Sequence, residues 1–121
     1  MDEKLALKEK ILDKYIFCGL TNLNTGFDVS SIKYFSEKEF EILLQRVKEL
    51  SFGIHGIEPW QDGKLYDVVT CMERSVDPAN ANPADSAWYM SAFEEFQNRK
   101  EKNLKYAATY FVPHSFFKAD T

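Results

Sequence analysis

Apolar residues recur at helical spacing in the N-terminal part of the chain and at strand spacing further on. Residues 3–17 set Leu5, Leu12, Tyr15 and Ile16 on one face, widened by Ala6 and Leu7 through to Ile11, with Asp2 placed to cap the start. The clearest helix is predicted over 36–50, "SEKEFEILLQRVKEL". Phe40, Leu43, Leu44, Val47 and Leu50 form its apolar stripe, and Glu37, Lys38, Glu41, Gln45, Arg46, Lys48 and Glu49 its wet face. Ser36 and Glu39 have capping-box spacing, in which each side chain satisfies the other's free backbone N–H, and Phe35 and Phe40 are spaced as a hydrophobic staple. Between these helices, "CGLTNLNTG" (18–26) breaks the pattern with two glycines and two asparagines and reads as a loop. Residues 27–35 read as a short strand or an irregular crossing.

The period then changes. Residues 52–58 and 64–73 read as two strands of an antiparallel hairpin. Pro59 is expected to end the first, since it donates nothing to a ladder, and "QDG" (61–63) supplies a turn with positive φ. "VDPANANPADS" (76–86) is a long polar loop. Asp85 or Ser86 caps a third helix over 87–102, with Trp88, Ala92, Phe93 and Phe96 inward and Arg99, Lys100 and Lys102 at its C-terminal end. Residues 104–112 alternate Leu104, Tyr106, Ala108, Tyr110 and Val112 on one face, a strand that Pro113 ends. Phe116 and Phe117 of the tail are expected to dock. The sum is an α+β domain spanning 1–121: a small, mostly antiparallel sheet of three to four strands, with about three helices packed on one face.

Composition narrows the class. The chain has 121 residues, 45% of them hydrophobic and 15% aromatic, enough to fill a core with few large side chains. The net charge is −4 with no basic stripe, which argues against a nucleic-acid partner and suits a basic protein partner. There is no secretory leader pattern and no apolar run of about 20 residues, so a cytoplasmic protein without membrane contact is expected. Cys18 and Cys71 lie far apart and read as buried, reduced thiols.

Chemistry is sparse. His55, in "FGIHGIEPW", shares a strand face with Gly53 and Ile57, and the two glycines flanking it suggest a bulge or a close backbone approach. Cys71, Glu58 and Asp67 are its candidate catalytic partners, but no motif fixes them. His55 and His114 are isolated, and no paired-ligand spacing points to a metal. The scattered glycines form no phosphate loop, and no cofactor is expected. One cluster remains. "EPWQDGKLYD" gathers Glu58, Trp60, Asp62, Tyr66 and Asp67 around a hairpin turn. Aromatics there provide rigid contact area and carboxylates provide charge for a cationic partner; equally, Trp60 and Tyr66 could pack across the hairpin with the acids merely solvated. Asp77 and Asp85 in the polar loop form a second candidate surface.

The stretch "YFSEKEFEILLQRVKELSFGIHGIEPWQDGKLYDVV" resembles small bacterial immunity proteins of polymorphic and contact-dependent toxin systems. The shared feature is a capped amphipathic helix, a G-I-x-G-I-E type strand, and an aromatic and acidic hairpin. The resemblance implies a non-enzymatic cytosolic inhibitor that binds a cognate toxin C-terminal domain, often a nuclease. Two other readings stand beside it. One is a small enzyme built on His55, Glu58 and Cys71. The other is a homo-oligomeric structural or regulatory domain, suggested by the aromatic surplus.

Overall fold

A computed structural model describes residues 3–99 and 103–119; Asp2, Lys100 and Lys102, to which a cap and helix-end charges are assigned above, lie outside them. The chain runs α1 (Glu3–Tyr15), β1 (Phe35–Ser36), α2 (Glu37–Glu49), β2 (Gly53–Gln61), β3 (Lys64–Leu65), β4 (Val69–Thr70), α3 (Cys71–Arg74), a short 3-10 turn (Pro78–Asn80), α4 (Ser86–Gln97), β5 (Lys105–Phe111) and α5 (His114–Ala119). The fold is α+β. Its sheet is antiparallel in every pairing among the described residues. β5 is flanked by β1 and β2, and both β3 and β4 pair with the far side of β2.

The register separates the two sheet faces. Tyr106 opposes Pro59 and Phe35, Ala108 opposes Ile57, and Tyr110 opposes Ile54. These residues look toward the helices. Phe40 of α2 stacks on Tyr106 with ring centroids 5.1 Å apart, and Phe93 of α4 meets Tyr106 edge-on at 5.2 Å. Tyr106, Phe40, Leu43, Leu44, Val47, Ile54, Ile57 and Tyr89 are wholly buried. The sequence period therefore finds its core: the stripe on α2 and the alternation on β5 meet each other.

The opposite face carries Trp60 beside Lys105, and Glu58 beside Ala107. The loop before β1 covers it there. Phe27 and Tyr34 pack against Trp60 at 5.6 and 5.4 Å, and Lys105 Nζ lies 5.1 Å over the Phe27 ring. Asparagine side chains hold that loop in shape. The Asn24 amide donates to the carbonyls of Val29 (2.9 Å) and Ile32 (2.8 Å), and Asn22 Oδ1 accepts from the Tyr34 N–H at 3.0 Å. Asn is favoured in irregular segments for this ability to stand in for backbone partners.

Several expectations need correction, among them the third helix, which ends at Gln97. β2 continues through Pro59 to Gln61. The Pro59 carbonyl accepts from the Tyr66 N–H at 2.9 Å, on the side away from β5. The N of a strand residue points the same way as its carbonyl, so the missing donor falls outside the β2–β5 ladder. The predicted strand 64–73 is instead two short strands and a helical turn. Thr70 caps that turn, its hydroxyl accepting from the Glu73 N–H at 3.2 Å. The register slips at His55, so Gly53 and Ile57 lie on opposite faces rather than sharing one with His55. Leu5 is 58% exposed, because the first turn of α1 stands over a cleft instead of the core. Cys18 is exposed; both cysteines are free, and only Cys71 is buried.

Candidate functional site: the hairpin and the open sheet edge

The turn at the tip of the hairpin follows from its two residues. Gln61 pairs with Lys64, leaving Asp62 and Gly63 as a two-residue loop with φ of +52° and +75°. Positive φ at both central positions is the conformation that Asp-Gly favours and that matches strand twist. Asp62 is therefore exposed at an apex.

The other candidate residues go separate ways. Glu58 and Trp60 lie on the loop-covered face, where Trp60 is half-buried against Phe27 and Tyr34. Trp60 pairs with Leu65, so Tyr66 points to the other side and does not meet Trp60. The Arg99 guanidinium lies 5.6 Å over the Tyr66 ring and pairs with Asp67 Oδ2 at 3.0 Å. Tyr66 and Asp67 tie β3 and β4 to the end of α4. Asp77 accepts from the Asn80 side chain at 2.6 Å within its own loop. Asp85 is the cap of α4, accepting from the Ala87 N–H at 3.0 Å. Asp67 and Asp85 are thus occupied by the fold, while Asp62 keeps its carboxylate at the surface.

A surface that sequence reasoning missed lies next to that apex. Leu65 is 51% exposed, Met72 61% and Val76 fully so, with Val68 also exposed. Leu65 lies in β3 and Val68 just before β4, at the open edge of the sheet, while Met72 lies in α3 and Val76 just after it. Read as a strand, 64–73 would bury every second residue. The signal that could have corrected this reading is T-x-x-E at 70–73, a capping box that starts a helical turn at Cys71. Breaking the strand there takes Met72 and Val76 out of the sheet and leaves them exposed. Asp62, Glu73 and Asp77 lie in the same segment.

His55, Glu58 and Cys71 do not come together. His55 is exposed at the bulge, edge-on to Phe111 with centroids 6.1 Å apart, and lines a cleft with Lys4 and Lys8. Cys71 lines a different, smaller hollow with Arg74, Asp85 and Trp88. Burial pushes the Cys71 thiol up, with Asp85 adding to the effect, whereas a nucleophilic cysteine needs its pKa lowered. Burial pushes the His55 imidazole down, helped by Lys8. Among the described residues no three His, Cys, Asp or Glu side chains are placed to hold a metal ion, and no helix is long and apolar enough to cross a membrane. No protein-family model, curated protein or solved structure matches this chain.

Proposed function

We propose that this protein is a non-enzymatic inhibitor, an immunity protein of the bacterial cytoplasm, that binds and neutralises a cognate toxin domain through its open sheet edge. The observation that carries the reading is the set of exposed apolar side chains Leu65, Val68, Met72 and Val76 along the chain from that edge through α3. Exposed apolar clusters with polar surroundings suit protein contact better than solvent. The carboxylates of Asp62, Glu73 and Asp77 in the same segment would steer a basic partner, in keeping with the net charge of −4. The resemblance of residues 34–69 to immunity proteins selects a toxin C-terminal domain as that partner.

Co-expression with the C-terminal domain of a toxin encoded beside it tests the reading. The two should co-purify. Met72→Lys should weaken the complex roughly ten-fold or more, ~1.4 kcal/mol, by placing a charge in the apolar contact. If the two proteins coexist unbound at micromolar concentration, the reading is wrong. The same open edge also favours pairing between copies of this chain. Sedimentation of the isolated protein separates that case, because a strict monomer leaves the edge free for a different partner.

A further inference from the structure

The hairpin apex sets side by side two groups that can react with each other. Asp62 is the one aspartate of the chain that a glycine follows. Gly63 has no side chain to shield its main-chain nitrogen. Both residues are exposed, and neither reacting group is engaged. Among the described residues the Asp62 carboxylate makes no hydrogen bond or ion pair, and the Gly63 N–H donates to nothing. Asp28 and Asp67 are the contrast. Each accepts from the N–H of the following residue at 2.8 Å, but Tyr34 holds the Asp28 carboxylate and Arg99 that of Asp67. The following residue is valine in both cases, and its branched side chain crowds the nitrogen.

The turn itself holds the two groups apart. Positive φ at both positions gives a type I′ turn, whose first position has ψ of about +30°. At that angle the Gly63 nitrogen lies across the Cα–C bond from Cβ, out of reach of the carboxyl carbon. The bond must rotate, and the turn must open with it. Little opposes that opening. β3 is Lys64 and Leu65 alone, both exposed, at the edge of the sheet and paired only with Gln61 and Trp60. Short, exposed elements of this kind open at low free energy.

We propose that Asp62 is a site of spontaneous isomerisation, converted to isoaspartate through a cyclic imide closed by the Gly63 nitrogen when the hairpin tip opens. The nitrogen attacks Cγ of the carboxylic acid form. The N–Cγ bond forms, the C–OH bond breaks, and the amide hydrogen and the hydroxyl leave as water. Solvent water then opens the imide. Cleavage at Cγ restores Asp62, whereas cleavage at the main-chain carbonyl carbon leaves isoaspartate, with no net gain or loss of atoms. The main chain of the product runs through Cβ and Cγ. That extra methylene does not fit a two-residue loop, so Lys64 and Leu65 lose their register with β2. The chemistry is independent of the inhibitor reading.

The test is prolonged warm incubation of the full chain at neutral pH, folded and in denaturing urea. Peptide mapping with isoaspartyl methyltransferase labelling locates the product. Isoaspartate should accumulate at Asp62 in the folded chain, at least ten-fold more slowly than in urea, and should not accumulate at Asp28 or Asp67. Gly63→Asn tests the attacking nitrogen. Asn tolerates positive φ, and a Cβ there meets nothing closer than Phe27 Cβ at 3.8 Å, so the turn is kept. The variant should convert about ten-fold more slowly than the parent in urea, because its side chain shields the nitrogen. No isoaspartate at Asp62 in the folded chain while the urea sample converts would overturn the proposal. Equal rates in the two states, equal conversion at Asp28 or Asp67, or indifference to Gly63→Asn would overturn it as well.

Discussion

Gly53 shows how one missing side chain fixes the placement of a long loop. A Cβ there would sit 2.6 Å from both the carbonyl carbon and oxygen of Pro83, and 2.8 Å from the Ala84 nitrogen. Those are backbone atoms and cannot swing aside. The close approach lets the Ile54 N–H donate to the Pro83 carbonyl at 2.9 Å, which anchors the 76–86 loop to β2. Gly53→Ala should therefore destabilise the protein by roughly 1–3 kcal/mol, the range for forced overpacking. It should also speed hydrogen exchange at Ile54 as the loop lifts. Gly56→Ala is the contrast, since its nearest neighbour, the Val69 carbonyl, is 3.4 Å away, and a much smaller loss is expected. Equal losses in chemical denaturation would show that the Pro83 contact is not the cause. Asp62 belongs to the same scale. With φ at +52° it occupies a conformation that Asp and Asn tolerate better than most residues. Asp62→Asn thus removes the charge without backbone strain. Stability should stay within about 0.5 kcal/mol of the parent. Association with a basic partner should slow, and the difference should shrink as salt is raised. An unchanged association rate would remove Asp62 from the contact surface.

Between residues and the whole, the elements show which parts of a fold sequence alone can specify. α2 was legible because three local signals agree: the stripe, the cap and the apolar residue before it. Ser36 Oγ accepts from the Glu39 N–H at 3.2 Å as its spacing predicts. Glu39 does not return the bond. Its carboxylate accepts instead from the Thr21 N–H at 2.8 Å. Half of the box is local and half is tertiary, and only the local half could be read. Ser36→Ala should cost roughly 0.5–2 kcal/mol. Glu39→Gln should act elsewhere, loosening the loop around Thr21, as faster exchange of that amide would report; an unaltered Thr21 amide would contradict the assignment. β5 was legible because its alternation is regular over seven residues. The segment 64–76 was not, because its chain reverses role at Thr70 and apolar residues continue through the change. The hairpin cluster was half legible. Its turn follows from Asp-Gly, but the covering of Trp60 by Phe27 and Tyr34 joins residues distant in sequence. Arg99 reaching Asp67 and Tyr66 is likewise a tertiary fact with no local pattern. The cleft beside His55 had only the two glycines as a sign.

At the scale of the molecule, the aromatic core makes stability sensitive to alkali. Tyr34, Tyr89, Tyr106 and Tyr110 are all buried. Burial is the leading cause that raises each hydroxyl pKa above its ordinary value near 10. Tyr34 also donates to Asp28, and Tyr106 donates to Glu37 at 3.2 Å, so each faces a carboxylate that opposes a second negative charge. Tyr89, beside Asp85, is pushed up to about 12. Above pH 10 the unfolded chain loses these protons and the folded chain keeps them. The folded state then binds more protons than the unfolded one, so stability falls as pH rises. The tyrosine contribution is fully present below about pH 10 and is lost on the way up toward the folded values. Each tyrosine removes about 1.4 kcal/mol per pH unit in that window. Four together exhaust a marginal stability of roughly 5–15 kcal/mol within a few units. Unfolding should therefore be cooperative above pH 10, with tyrosinate absorbance rising as far-UV circular dichroism is lost. Tyr110→Phe takes one proton out of the linkage, so the fall of stability with pH should become shallower by about a quarter, whatever the variant's stability at neutral pH. A gradual rise in tyrosinate absorbance near pH 10 with the circular dichroism intact would mean that the hydroxyls are open to solvent and that the packing around Tyr106 and Tyr110 differs from that described.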